Sequence, residues 1–214
     1  PPMEGGASIM KDMVRRPGAP SHPIRVLDPG FDRPEADDDR AALAATWLGH
    51  ATMLVDLDGV RVLTDPVLSR RCSPSQTVGP ARMHAAPASA DRLPTVDVVL
   101  IGHDHYDHLD FETVTALAAA QPDALFICPI GVGAHLEMWG IAPGRVREAD
   151  WDQEIAVDVR GTHLRFVCCP ARHFSGRFFY RDVTQWASWV AIGPEHRMFF
   201  SGDTGITDAF EQVG

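Results

Sequence analysis

The chain has 214 residues, and its 45% hydrophobic and 22% charged residues are ordinary for a soluble globular protein. This length predicts one domain with a proper core. A net charge of −10 argues against a general nucleic-acid-binding protein, since such domains tend to be basic. The four cysteines form no regular framework, and the sequence shows neither a signal peptide nor an apolar run long enough to cross a bilayer. These features predict a cytoplasmic protein.

Residues 1–45 differ in composition from the rest of the chain. They are rich in proline and glycine, carry an acidic run at 37–39, and show no sustained apolar period. We therefore expect a loosely ordered N-terminal arm at 1–45 and one folded domain at 46–214. Within this domain, Asp58-Gly59 lies between two apolar runs and predicts a hairpin. The long connection at 66–95 contains several prolines, and such a length usually marks a functional loop.

The most informative segment is His-Asp-His-Tyr-Asp-His at 103–108, which follows a strongly apolar run. In an extended chain the side chains alternate, so His103, His105 and Asp107 would point the same way, with His108 joining them at a turn. Imidazole nitrogens with a carboxylate suit zinc, and also iron or manganese. Because four donors crowd one ion, we expect His103 and His105 to hold one metal. Asp107 and His108 would hold a second, about 3.5–4 Å away.

The remaining elements follow from periodicity and capping. Asp110 is placed to cap a helix at 111–120, and Gly140 is placed to end a second helix at 132–139. Strands are predicted at 125–128, 162–169, 186–192 and 197–201. Strands and helices that alternate on this spacing predict an α/β fold with sheets covered by helices on their outer faces.

The motif at 103–108 resembles that of the metallo-β-lactamase-fold hydrolases. Thr-Trp-Leu-Gly-His-Ala-Thr at 46–52 is similar to the opening strand of the branch that contains L-ascorbate-6-phosphate lactonase. Thr-Asp-Pro at 64–66, Trp-Ala-Ser-Trp at 186–189 and Phe-Phe-Ser-Gly-Asp-Thr-Gly at 199–205 are similar to N-acylphosphatidylethanolamine-hydrolysing phospholipase D. The resemblance runs from Thr46 to the C-terminus. It implies an αβ/βα sandwich with the metals at one edge.

The resemblance also implies further site residues. His173 matches a third histidine on the first metal, and Asp203 matches a carboxylate that bridges both metals. The family's second metal takes a late histidine, which nothing after Asp203 supplies, so we expect the chain to lack its C-terminal part. Asp65 and His50 are candidates to orient ligating histidines, although His50 could equally fill the core. Tyr106 could donate its hydroxyl to a developing oxyanion or could simply pack.

Together these residues imply a dinuclear zinc hydrolase, with iron or manganese as alternative metals. Metal-bound hydroxide would cleave a phosphodiester, and Asp107 or Asp203 would orient it and take up its proton. With Tyr106, these two are the candidate catalytic residues. Arginine recognises phosphate through a bidentate fork, and several arginines lie in the loops expected around the site. They are Arg70, Arg71, Arg82, Arg172 and Arg177.

The sequence leaves the substrate open between a phospholipid and a phosphorylated sugar lactone. A lipid would need an apolar groove, which residues 178–179 and the loop at 66–95 could form, and would imply peripheral membrane contact. A lactone would need a small polar pocket. Two other hypotheses are a metal-binding protein without turnover and an iron-containing oxidoreductase on the same fold. We expect a small-molecule or phospholipid partner and no nucleic acid.

Overall fold

The computed structural model describes residues 20–31, 40–177 and 179–212. The acidic run at 37–39, most of the predicted arm and Phe178 lie outside these residues. The described strands, in chain order, are β1 (Leu43–Gly49), β2 (Thr52–Leu57), β3 (Val60–Thr64), β4 (Val98–Leu100), β5 (Leu125–Pro129), β6 (Val146–Ala149), β7 (Glu154–Val159), β8 (Thr162–Cys169), β9 (Gly176–Arg177), β10 (Tyr180–Arg181), β11 (Ser188–Ile192) and β12 (Arg197–Phe200). The α-helices are α1 (Phe111–Ala120) and α2 (Val132–Met138).

Two sheets carry the fold. The larger contains β1 to β6 in chain order, antiparallel from β1 to β3 and parallel from β3 to β6. The smaller is antiparallel, in the order β12-β11-β8-β7, and β9 pairs with β10 as a short ribbon. Because β3 and β4 are parallel neighbours, the segments that follow them begin at the same edge of the sheet.

The core has two layers. One layer lies between the two sheets, where Phe166 and Trp189 are fully buried. The other lies between the larger sheet and its two helices, where Phe126, Leu117 and Leu136 are fully buried. Burial of each such side chain contributes about 1.5–3 kcal/mol, so both faces of the larger sheet are strongly anchored. The strand ends at its edge are therefore held on a rigid support.

The local predictions for the hairpin and the first helix are confirmed. Asp58 and Gly59 have φ values of 51° and 84°, the left-handed pair that a two-residue hairpin turn requires. Helix α1 spans the predicted residues, and the Asp110 side chain accepts from the Thr113 backbone N–H at 3.1 Å. Helix α2 ends one residue earlier than predicted, just before Gly140 adopts a φ of 91°.

Several strand boundaries differ from prediction. Strand β1 begins at Leu43, three residues before the predicted start of the domain at Thr46, and β11 begins at Ser188 and not at 186. Strands β6 and β7 were not predicted. In β6 only Ala149 is buried, and its sequence shows no apolar alternation. In β7 the residues Ile155, Val157 and Val159 alternate with Glu154, Ala156 and Asp158, so this strand carries a signal that the prediction missed. Among the described residues, neither helix is long and apolar enough to cross a bilayer.

Candidate metal centre

The predicted site residues meet at one edge of the two sheets. Asp65 directly follows β3, and its backbone N–H donates to Leu100 O at the end of β4 at 2.9 Å. The motif at 103–108 follows β4 itself, His173 follows β8, and Asp203 follows β12. His50 lies in the turn between β1 and β2. The topology therefore collects residues from five separate chain segments.

Three imidazoles form the first group of possible ligands. His103 Nε2 lies 2.8 Å from His105 Nδ1, and His173 Nε2 lies 3.2 Å from the same atom. The ligand atoms of all three lie within 4.8 Å of one another. Burial, followed by the neighbouring histidines, lowers the pKa of His103 to about 2. The imidazole is therefore neutral at physiological pH, the form that ligates zinc.

The second group contains His50, Asp107 and His108, whose ligand atoms also lie within 4.8 Å of one another. His50 Nε2 is 3.1 Å from Asp107 Oδ2, and His108 Nε2 is 3.8 Å from that oxygen. The prediction of an extended chain is wrong beyond His105. Its carbonyl accepts from the backbone N–H groups of His108 and Leu109 at 3.0 and 2.8 Å, so the chain turns there. This turn brings Asp107 and His108 together.

Asp203 links the two groups. Its Oδ2 lies 3.3 Å from His108 Nε2 and 3.6 Å from His173 Nε2. The contact with His108 lowers the pKa of Asp203 to about 2, although burial alone would raise this pKa. The carboxylate is therefore charged, and it faces one histidine from each group. This is the position that a ligand shared by two metal ions requires.

Asp65 contacts His108 through the ring nitrogen Nδ1. The Asp65 carboxylate is fully buried, and it accepts from His108 Nδ1 and from the Gly102 backbone N–H, both at 2.6 Å. A Cβ at Gly102 would lie 3.2 Å from Asp65 Oδ2, so a side chain there would crowd this carboxylate. Asp65 has a φ of 31°, unusual for a non-glycine residue. Its geometry supports the predicted role of orienting a ligating histidine.

The chemistry of these donors fits metal ions. His108 Nε2 is buried and makes no well-aligned hydrogen bond to another described residue, although Asp203 and Asp107 lie nearby. Burial alone would lower the pKa of His108, but Asp65 and the other carboxylates outweigh it and raise the pKa to about 10. A metal ion would displace the Nε2 proton and satisfy that nitrogen. The imidazole and carboxylate donors of this cluster therefore suit metal binding.

Two predicted residues keep more than one interpretation. His50 is half exposed and does not fill the core, because its side chain reaches Asp107. This contact suits either an orienting residue or a third donor for the second group. The ring of Tyr106 lies beneath the Arg177 guanidinium, with 4.1 Å from Cζ to the ring centroid, and its hydroxyl oxygen is buried. The proposed oxyanion contact of Tyr106 stays a prediction.

Three of the five arginines predicted to bind phosphate instead donate hydrogen bonds to backbone carbonyls. Arg82 donates to Leu48 O at 2.9 Å and to Val67 O, and Arg71 Nε donates to Gln76 O at 3.1 Å. Arg177 also donates to backbone carbonyls. These three side chains stabilise loops, so they are not available for the predicted phosphate fork. Sequence reasoning could not foresee this, because backbone acceptors leave no trace in the residue pattern.

An aromatic residue next to the first group was missed. The Phe174 ring lies edge-on to His105 and tilted against His173, with centroid distances of 4.6 and 4.7 Å. The exposed Arg181 guanidinium stacks on the Phe174 ring, with Cζ 4.3 Å from the ring centroid. Phe174 therefore shields two of the three imidazoles. The only sequence signal was its position beside His173.

A groove of about 840 Å³ opens beside the second group. Residues of the loop at 66–95 form one wall, and Trp47 from β1 is 59% exposed within the groove. His105 and Asp107 line its inner end. The apolar and aromatic residues that line it are Ile24, Trp47, Pro74, Pro80, Ala81, Met83 and Tyr106. Phe179 is fully exposed and is not among the lining residues, and Phe178 lies outside the described part of the chain.

Comparison with known proteins decides the family. A family model described as "Beta-lactamase superfamily domain" matches residues 60–214. The chain belongs to the beta-lactamase superfamily. This membership confirms the predicted metallo-β-lactamase fold. Among solved structures, Igni18, a metallo hydrolase from Ignicoccus hospitalis, superposes with a TM-score of 0.60 at 21% identity, over 80% of this chain and 65% of that one.

Two curated relatives extend the comparison beyond the fold. The uncharacterized protein Rv0906 of Mycobacterium tuberculosis is 51% identical over 208 residues, which cover 96% of this chain and 54% of the relative. The N-acyl-phosphatidylethanolamine-hydrolyzing phospholipase D 1 of Caenorhabditis elegans is 37% identical over 187 residues, covering 84% of this chain and 52% of the relative. The chain thus spans about half the length of these relatives. The predicted resemblance to this phospholipase D is therefore confirmed as homology.

Proposed function

We propose that this protein is a metal-dependent phosphodiesterase that cleaves a phospholipid in the manner of a phospholipase D. The observation that supports this most directly is the position of Asp203. Its carboxylate lies between a histidine of each ligand group, at 3.3 and 3.6 Å. A shared carboxylate between two donor groups is the arrangement expected for a two-metal hydrolase.

The ligands divide between two ions, for which zinc suits the imidazole-rich donor set. His103, His105 and His173 would hold the first ion. Asp107 and His108 would hold the second, and Asp203 would contact both. When bound, the ions would lower the pKa of the attacking water and neutralise charge on the phosphate.

The carboxylates perform the acid–base work of the proposed reaction. The Asp203 carboxylate faces both groups through Oδ2, and its other oxygen would accept the proton that the attacking water loses. Asp107 Oδ2 lies 3.1 Å from His50 Nε2 and 3.8 Å from His108 Nε2, so His50 would orient this carboxylate toward the second group. Asp65 keeps the His108 Nε2 lone pair aimed at the same place, because it accepts the Nδ1 proton.

The groove supports a lipid in preference to a small polar lactone. It is about 840 Å³, large enough for a drug-sized apolar ligand or part of an acyl chain. Trp47 and Met83 are both more than half exposed in it, and exposed apolar side chains in one concave surface are typical of a ligand site. Peripheral contact with a membrane and a cytoplasmic location belong to the same proposal.

The test is hydrolysis of N-acylphosphatidylethanolamine in vesicles by the zinc-loaded protein, with products identified by mass spectrometry. We expect phosphatidate and N-acylethanolamine in equal amounts, and loss of both products in Asp203→Asn and His105→Ala. Asp97→Asn, a buried carboxylate at the start of β4, should retain turnover. A phosphorylated sugar lactone is assayed in parallel. Turnover of the lactone alone would replace the proposed substrate, and bound zinc without any turnover would favour a metal-binding protein.

A further inference from the structure

We propose that Arg177 is a positioning residue that preorganises the metal-binding loop at 104–109. Arg177 lies in β9, four residues after His173. Its side chain is partly buried and lines a cavity of about 390 Å³ together with Tyr106 and Trp139, and it is not among the residues that line the groove beside the second ligand group. Nothing in the sequence distinguishes it from the other loop arginines. The inference rests on the proposed metal centre, but it does not depend on the identity of the substrate.

The first observation is a pair of hydrogen bonds from one nitrogen. Arg177 Nη1 donates to Asp104 O and to Leu109 O, both at 2.7 Å. These carbonyls are the two ends of the loop, and the chain between them carries His105, Asp107 and His108. One guanidinium therefore fixes the separation of the loop ends. Hydrogen bonds from a charged donor are roughly twice as strong as those between neutral groups.

The second observation is the position of the guanidinium between aromatic rings. Its Cζ lies 4.1 Å from the Tyr106 ring centroid and 5.3 Å from that of Trp139. Tyr106 belongs to the loop, and Trp139 ends helix α2. Stacking on planar rings restricts the rotation of the guanidinium and keeps its donors aimed at the carbonyls. The loop is thereby fastened to the helical layer as well as to β9.

The third observation is a separate bond from the neighbouring residue. The Gly176 backbone N–H donates to Asp104 Oδ1 at 2.6 Å. Residues 176 and 177 thus hold both the backbone and the side chain of Asp104, which sits between His103 and His105. Since His173 lies on the same short segment, this clamp also fixes the third imidazole relative to the other two.

A clamp of this kind acts on metal affinity. A loop that is already in its binding geometry loses less conformational freedom when the ion binds. Residues that orient metal ligands typically change affinity 10–100-fold when they are replaced. We therefore expect the loss of Arg177 to weaken zinc binding, although no atom of Arg177 ligates the metal.

The experiment compares Arg177→Met with Arg145→Met. Arg145 is a matched control far from the loop: it donates to the carbonyls of Ala118, Gln121 and Ala124 and stacks on Phe126 at 5.2 Å. Zinc affinity is measured on folded protein by competition with a chromophoric chelator, and the free energy of unfolding by urea titration. We expect both variants to lose stability, but only Arg177→Met to bind zinc about 10–100-fold more weakly.

Arg177→Lys keeps the charge and guards against a variant that fails to fold. Lysine lacks the planar fork and stacks poorly on aromatic rings. The zinc affinity of Arg177→Lys should therefore fall between those of the wild type and Arg177→Met. Zinc affinity within twofold of the wild type in both Arg177 variants would overturn the inference alone. A wild-type protein that binds no zinc would overturn the proposed metal centre together with this inference.

Discussion

Replacement of Asp65 by asparagine should weaken the second metal site without changing the shape of the side chain. The Asp65 carboxylate receives two N–H donors, from His108 Nδ1 and from the Gly102 backbone, both at 2.6 Å. Asparagine offers only one oxygen, so either orientation of its amide places a donor against a donor. Asparagine also tolerates the positive φ at this position, so the substitution should change backbone strain by at most about a few tenths of a kcal/mol.

The magnitude follows from the histidine tautomer. With the amide nitrogen toward His108, Nδ1 must give up its proton, and the proton moves to Nε2. Nε2 is the nitrogen that faces Asp203 at 3.3 Å, so a metal ion at Nε2 would drive the proton back to Nδ1, where it would oppose the amide N–H of the asparagine. Loss of an orienting partner costs about 10–100-fold in metal affinity. That range corresponds to about 1.4–2.7 kcal/mol.

The assay is zinc titration with a competing chelator, supported by ¹⁵N chemical shifts of the His108 imidazole. Asp97→Asn is the matched control, because Asp97 is a buried carboxylate that accepts from the Arg61 backbone N–H at 2.7 Å at the other end of β4. We expect it to lower stability but leave zinc affinity unchanged. Zinc affinity within twofold of the wild type in Asp65→Asn, with Nδ1 still protonated, would refute the reasoning.

Four further predictions follow from the site and the fold. Asp203→Ala should lower the bound metal from two ions to one or fewer, since Asp203 contacts both groups; elemental analysis that still finds two ions would contradict this. Zinc affinity should rise by about tenfold per pH unit between pH 7 and 9, because the metal must displace a proton from His108, whose pKa is raised to about 10. A zinc affinity from isothermal titration calorimetry that does not change with pH would argue against that displacement. Trp47→Ala should raise KM for a phospholipid several-fold with unchanged metal content, as steady-state kinetics can show. Asp110→Ala removes the cap of α1 and should lower the free energy of unfolding by about 1 kcal/mol in urea, whereas an unchanged midpoint would mean that the cap contributes nothing.

Local features could be predicted from the sequence because their causes are local. The Asp58-Gly59 turn needs two residues that accept positive φ, and the α1 cap needs a carboxylate three residues before a free N–H. Both conditions involve residues that lie within four positions of each other in the sequence. Strand β6 could not be predicted, because it buries only Ala149 and pairs with β5 across a helix and a loop. Strand β7 was missed, although Ile155, Val157 and Val159 alternate with Glu154, Ala156 and Asp158 and a two-residue turn joins it to β8.

The candidate site also has features that could be predicted from the sequence and features that could not. The motif at 103–108 concentrates its donors in one segment, so a metal site could be inferred from it directly. The turn at His105 could not, since it depends on backbone hydrogen bonds that replace the extended geometry. The partners of Arg71, Arg82 and Arg177 are backbone carbonyls, which every residue possesses. For that reason a side chain that stabilises a loop looks, in sequence, like one that binds phosphate.

Anomalous X-ray scattering from zinc-loaded crystals tests most directly whether two metal ions share Asp203. We predict two peaks about 3.5–4 Å apart, with Asp203 between them. One should lie within ligand distance of His103, His105 and His173, and the other beside Asp107 and His108. A single peak, or two peaks that do not both contact Asp203, would contradict a dinuclear centre.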